Sequence, residues 1–172
     1  TQLIAELLDV SKIQHGKLDY NFHFFDFSEM ILDSIEGIQH NSPNHKIQLS
    51  GSTAVIIEGD KERLQQVVIN LLNNAVKYSP DNGDIFIKVS LENEELKVSV
   101  RDEGIGIAAD NLHKIFDRYY RIEGQEILFQ GLGIGLFISM EIIKRHNGKL
   151  WAESEIGKGS TFSFTLPLKR EK

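Results

Sequence analysis

The stretch "INLLNNAVKYS" (residues 69–79) has the leucine spacing of an amphipathic helix, yet it carries Asn70, Asn73 and Asn74. Asparagine is a mediocre helix former, because its side chain competes for nearby backbone groups. On a helical wheel over residues 60–78, Leu64, Val67, Val68, Leu71, Leu72 and Ala75 form one apolar stripe. Arg63, Asn70, Asn74 and Lys77 fall together on a neighbouring stripe, since residues three or four apart share a face. The helix therefore buries one side and offers two amides flanked by two cations on the other. Two readings stay open at this point. The face is solvated and its asparagines incidental, or it is a magnesium–phosphate site with Lys77 and Arg63 offsetting phosphate charge. Mg²⁺ takes hard oxygen ligands, keeps several waters and shares substrate phosphates. An amide oxygen serves it without adding negative charge. Asn73 points away from this stripe and is expected to face solvent.

Outward from this helix the pattern alternates between strands and helices. Leu3, Ile4, Leu7, Leu8, Val10 and Ile13 give a leading helix that stops at "HGK" (15–17) and is too apolar on one side to stand alone. "NFHFFDF" (21–27) reads as a short strand, and residues 26–39 as a helix capped near Asp26 or Ser28. "KIQLSG" and "AVIIEG" are short strands around a turn at 50–53. Residues 84–104 form a hairpin turning at Asn93 and Glu94. Residues 105–131 are irregular or short-helical, 135–148 a helix ended by Gly148, and 149–169 a second hairpin turning at "IGKG".

Three glycine stretches bear on the two readings. "DEGIGI" (102–107) follows a strand; Gly104 and Gly106 let the backbone pass close to a ligand, and Asp102 can accept a hydrogen bond from an exocyclic amine. "GLGIGL" (131–136) runs into a helix, where exposed backbone N–H groups suit phosphate oxygens. It is neither a Rossmann fingerprint nor a P-loop. "GKGST" (157–161) has the letters of a P-loop in the wrong order and reads as a hairpin turn.

In order and spacing these motifs resemble the ATP-binding catalytic domain of bacterial sensor histidine kinases, within the superfamily of gyrase, heat-shock chaperone, histidine kinase and mismatch-repair ATPases. "NLLNNAVKYS" is similar to the family's N box, "DEGIGI" to its G1 box, "IFDRYYR" (115–121) to its F box and "GLGIGL" to its G2 box. The resemblance implies a two-layer α/β sandwich, with a mixed sheet of about five strands under three helices and a protruding N-terminal helix. It implies ATP and Mg²⁺ as cofactors, with Asn74 as metal ligand and Asn70 and Lys77 beside the phosphates. Tyr78 would pack near the adenine, Asp102 would read its amine, and Gly104, Gly106 and Ile107 would shape its pocket. Residues from about Ala109 to Gln130 become a lid anchored by Phe116, with Arg118 and Arg121 as phosphate contacts. Gly131, Leu132, Gly133, Gly135 and Leu136 form its hinge and cradle, and Thr161 falls near the adenine end. Residues 1–20 resemble the second helix of the dimerisation and phosphotransfer domain, and 21–172 the catalytic domain. The implied partners are a response regulator receiver domain and, in the intact protein, a second copy joined through the dimerisation helices.

None of the six histidines (His15, His23, His40, His45, His113, His146) has the acidic-then-Pro context of the family's phosphoryl acceptor, so the acceptor helix is expected outside these residues. His146, at a helix C-terminus, would be mildly favoured as a cation. An apolar content of 41% supports a sizeable core, and a net charge of −6 argues against a non-specific nucleic-acid binder. Without cysteines there is no disulfide framework and no thiolate metal site. No apolar run reaches membrane-spanning length and no signal peptide precedes the first helix, so a cytoplasmic setting without direct membrane contact is expected for these residues, with membrane anchoring of the intact protein left open. The helical pattern beginning at Thr1 suggests a piece of something longer. The rival readings are an ATP-gated binding module and an anti-sigma-type serine kinase; the leading helix fits a four-helix dimer stem and has no role in either.

Overall fold

The computed structural model describes residues 2–51, 53–79, 83–122 and 131–168, the side chains of residues 2 and 3 excepted. The chain opens with α1 (Gln2–Gln14) and a linker, then β1 (His23–Asp26) and α2 (Phe27–Asn41). β2 (Lys46–Gly51), β3 (Ile56–Gly59) and α3 (Lys61–Tyr78) follow, then the hairpin β4 (Asp84–Glu92) and β5 (Glu95–Arg101). A 3-10 turn at Ala109–Asn111 precedes α4 (Gly135–Arg145), β6 (Lys149–Glu155) and β7 (Gly159–Pro167).

Five strands form a mixed sheet in the order β2-β4-β5-β7-β6, with β2 parallel to β4 and the other pairs antiparallel. Period-two alternation sends Ile85, Ile87 and Val89 of β4, Leu96, Val98 and Val100 of β5, and Phe162, Phe164 and Leu166 of β7 into one core. The apolar stripe of α3 meets them: Leu64, Val67, Val68, Leu71, Leu72 and Ala75 are all buried. With α2 and α4 beside α3, the result is a sheet covered by three helices on one face. The hairpin turns as expected, with Asn93 (φ 50°) and Glu94 (φ 62°) in the left-handed region.

Three expectations change. The strands expected around a turn at 50–53 do not pair with each other: β2 joins the main sheet, whereas β3 pairs antiparallel with β1 in a separate two-stranded sheet. Ser52 lies outside the described residues. The helix 135–148 ends earlier, at Arg145, and the left-handed residue that follows is Asn147 (φ 59°), not Gly148. The leading helix keeps Ile4, Leu7 and Leu8 exposed, but Val10 is buried against the body and Asp9 with it. One side of α1 is thus outward and the other docked. Among the described residues, no helix is long and apolar enough to cross a membrane.

Candidate functional site

A cleft of about 410 Å³ opens beside α3, between that helix, the loop after β5, residues 115–122 and the start of α4. Its size is in the range of small-molecule sites. The α3 wall supplies Asn70, Asn73, Asn74, Lys77 and Tyr78. The loop after β5 supplies Asp102, Ile105, Gly106 and Ile107, and β7 supplies Ser160 and Phe162. Ile115, Tyr120, Arg121 and Ile122 close one side, and Gly131–Leu136 another. Glu6 of α1 reaches the rim.

Asp102 sits at one end. It is 3% exposed, and its Oδ1 accepts the backbone N–H of Gly104 (2.8 Å) and of Ser160 (3.2 Å). Both bonds fall on one oxygen, so the carboxyl is fixed in orientation while Oδ2 keeps its acceptor capacity. Burial pushes its pKa above the ordinary 3.8, against the pull of the two N–H donors and of Arg101. The loop that carries it is held tight. Gly106 has φ +72°, and a Cβ there would meet the Glu155 carbonyl oxygen at 2.0 Å, so only glycine lets the loop lie against β6. Ile107 N–H donates to Ser154 Oγ at 2.8 Å and fixes the loop from the other side.

At the other end the α3 asparagines face the N-terminus of α4. Asn70 Nδ2 donates to Ser139 Oγ (2.9 Å), which turns its carbonyl oxygen towards Gly135. A Cβ on Gly135 would sit 2.4 Å from that oxygen, so any larger residue here would displace the Asn70 amide from its present position. Asn74 is half-buried and makes no side-chain hydrogen bond among the described residues. Its amide oxygen has the chemistry that suits a hard cation, with that of Asn70 one turn away. Among the described residues there is no cluster of acidic or histidine side chains that could hold a metal by itself. A donor set of neutral amides beside open cleft fits an ion such as Mg²⁺, which retains waters and shares phosphate oxygens. Lys77 Nζ lies over the Tyr78 ring (4.9 Å) and 3.3 Å from where a Gly131 Cβ would be. From Asn70 to Tyr78 the helix rises about 12 Å, at roughly 1.5 Å per residue, a length that suits a nucleoside carrying a chain of phosphates.

The structure brings together most of the expected set: Asn70, Asn74, Lys77, Tyr78, Asp102, Gly106, Ile107, Arg121, Gly131, Leu132, Gly133, Gly135 and Leu136 all line the cleft. Gly104 lies behind it, where a Cβ would meet the Tyr78 carbonyl oxygen at 2.3 Å. Phe116 packs edge-on against Phe162 (6.4 Å between ring centres) and lies behind the lining. Arg118 is exposed and sits over the Tyr119 ring. Thr161 alternates away: its neighbours Ser160 and Phe162 face the cleft, and Thr161 lies on the other side of the sheet, in register with Arg101 and Glu153. Arg63 belongs elsewhere, bonded to Asp9 (2.7 Å) and Gln66 (2.9 Å) at the base of α1. Asn73 is exposed, as expected of a solvent-facing residue, but it forms part of the rim. Of the expected lid, residues 123–130 lie outside the described residues. Its described part is tied down by Tyr120 Oη–Asn111 Oδ1 (2.9 Å) and by Tyr119 N–H to Gly133 O (2.9 Å).

Several lining residues were not foreseen. Ser160 and Phe162 required the strand phase of β7 rather than the motif position alone. Ile115 and Tyr120 required the path of the segment. Glu6 carries no local signal, because it depends on how α1 docks. His146 also departs from expectation. It is buried, its Nε2 accepts the Asp60 N–H (2.9 Å), and its Nδ1–H donates to Ile142 O (2.8 Å). Burial lowers its pKa below 6.5, so the ring is held neutral rather than cationic.

A buried acceptor at one end of a cleft, with two amides and a glycine-rich helix start at the other and a lysine on the wall between them, has the chemistry of a nucleotide site on an ATPase-type α/β sandwich. The chain belongs to the histidine kinase-, DNA gyrase B- and HSP90-like ATPase family, whose model matches residues 59–170. Sensor histidine kinase WalK of Bacillus subtilis (strain 168) is 35% identical over 176 residues, covering 99% of this chain and 29% of WalK. Adaptive-response sensory kinase SasA of Thermosynechococcus vestitus is 33% identical over 171 residues, covering 97% of this chain and 45% of SasA. A nucleotide-free structure of the catalytic domain of histidine kinase ThkA superposes with a TM-score of 0.76 at 29% identity, covering 86% of this chain and 96% of that one. The chain therefore carries an ATP-binding domain of the sensor histidine kinase type, and it spans less than half the length of these two curated relatives.

Proposed function

We propose that the chain is the Mg-ATP-binding catalytic portion of a two-component sensor histidine kinase, donating the ATP γ-phosphate to a histidine on a dimerisation helix outside these residues. The observation that carries this reading is the buried Asp102 carboxylate, fixed by two backbone N–H groups at the opposite end of the cleft from Asn70 and Asn74. Asp102 accepts a hydrogen bond from the adenine amine through Oδ2. Tyr78, Ile105 and Ile107 wall the base, and Ser160 stands where Thr161 was expected. Lys77 and Arg121 face the phosphates, with the backbone of Gly133–Gly135 at the start of α4. Asn74, with Asn70, would hold Mg²⁺, whose part is to neutralise charge on the β- and γ-phosphates. The nucleophile is the acceptor imidazole itself, so the domain contributes positioning and charge compensation. Residues 1–20 are the end of the dimerisation and phosphotransfer domain, and 21–172 the catalytic domain. A response regulator receiver domain takes the phosphoryl group onward.

Incubation with labelled Mg-ATP and a separate dimerisation domain carrying the acceptor helix tests this. Acid-labile, base-stable label is expected on that domain and none on the chain alone. ATP binding without transfer, despite demonstrated docking, would favour the ATP-gated binding module.

A further inference from the structure

The docked side of α1 is specified by charge. Asp9 is buried, and its Oδ2 accepts from Arg63 Nη1 (2.7 Å) and Gln66 Nε2 (3.1 Å) on α3. A buried carboxylate is costly unless it is paired and hydrogen-bonded, so this clasp selects one seat for the helix. Val10, next along the chain, is buried in the same contact. Glu6 lies three and four residues before these two and so shares their helix face. The clasp therefore aims Glu6 at the body. Glu6 lines the main cleft together with Asn70, Asn73 and Asn74. It also lines a second cavity of about 260 Å³ between α1, α3 and α4, where Asn70 and Gly135 are again neighbours. The two cavities meet at Glu6, at the end of the cleft assigned above to the phosphates.

We propose that the docked leading helix is an autoinhibitory wall of the nucleotide site, with the Glu6 carboxylate opposing the terminal phosphates. The proposal rests on the ATP reading of the cleft. A fixed negative charge there weakens a triphosphate more than a diphosphate, and leaves adenosine untouched. By linkage, whatever the nucleotide loses to docking, docking loses to the nucleotide. ATP loosens the Asp9–Arg63 clasp, and a partner that draws α1 off the body raises ATP affinity.

Titration calorimetry at low ionic strength on the whole chain, wild type against Glu6→Gln, reads this directly. The amide keeps the shape of a half-buried side chain, and a melting curve confirms the fold. ATP affinity is expected to rise about fivefold, the scale of one charge repulsion in a wet cleft. ADP should gain less and adenosine nothing. Asp9→Asn, which weakens the clasp without touching the cleft, should shift ATP affinity in the same direction. Equal ATP affinity in Glu6→Gln overturns the proposal. So does weaker affinity, which would mean that the carboxylate helps to hold the metal. If the wild type binds no adenine nucleotide at all, the functional reading fails and the inference fails with it; if it binds ATP and Glu6→Gln binds equally, only the inference fails.

Discussion

The polar stripe of α3 is one face of one helix, yet its two halves do different work. At the N-terminal half, Asp60 caps the helix by accepting the Arg63 N–H (3.0 Å) and also takes the Asn21 N–H of the linker (2.8 Å). Its own N–H donates to His146, and Arg63 and Gln66 grip Asp9 of α1. Nearly every polar group there is spent on holding chain to chain. At the C-terminal half, Asn70 makes one bond to α4, Asn74 makes none among the described residues, and both border the cleft. A helical wheel places all these residues on one side but cannot say what covers them. Structure closes one half and leaves the other open, and only the open half is available to a ligand.

That division can be broken from either end. The largest effect is expected from Asp60→Ala. It removes the cap and leaves the Asn21 N–H without its acceptor, for a loss of about 2–3 kcal/mol in urea unfolding. ATP affinity should stay within about twofold. Equal losses in stability and affinity would show that the two halves are one unit.

Asn74→Ala acts at the open half. The side chain lies off the apolar stripe, so no core cavity forms and stability should change by less than about 0.5 kcal/mol. Magnesium-dependent ATP affinity should fall about tenfold, which is roughly 1.4 kcal/mol. Superimposable Mg²⁺ titrations for variant and parent would remove Asn74 from the metal site.

The smallest effect concerns pH at the closed half. The His146 pKa is lowered by burial, so its contribution to stability is complete above about pH 6.5 and is lost as pH falls towards the depressed value. Protonation would also cost Nε2 its role as acceptor for Asp60. Melting temperature should decline as pH falls below about 6.5, and His146→Gln should flatten that decline. A variant with the same slope as the parent would place the titration elsewhere.

Much of this was legible in the sequence, for definite physical reasons. The apolar period of α3, the alternation of β4 and β5, and the left-handed pair Asn93–Glu94 are local patterns, and each forms as the residues dictate. The N box and glycine stretches were legible because backbone approach and amide chemistry constrain residue type at fixed spacing. What escaped depends on contacts between segments far apart. β2 and β3 look like neighbours along the chain, but their partners β4 and β1 lie in different sheets. Thr161 missed the cleft by one residue, which in a strand is the whole difference between two faces. Arg63 was diverted by Asp9, some fifty positions earlier, and Glu6 entered the site by the same docking. His146, at a helix end that favours a cation, is neutral because it is buried, with Tyr20 edge-on and Phe22 tilted against it, and because the Asp60 N–H uses its Nε2 lone pair.

The central claim is that Asp102 and the open half of α3 together hold an adenine nucleotide. Calorimetric titration of Mg-ATP and Mg-GTP into the wild type and into Asp102→Asn tests it most directly. Ionised Asp102 only accepts, which suits the adenine amine and not the guanine carbonyl. ATP binding is expected with GTP at least tenfold weaker, and loss of most of that preference in Asp102→Asn, roughly 1.4 kcal/mol or more. Equal binding of ATP and GTP by the wild type, or full ATP preference in Asp102→Asn, would contradict it.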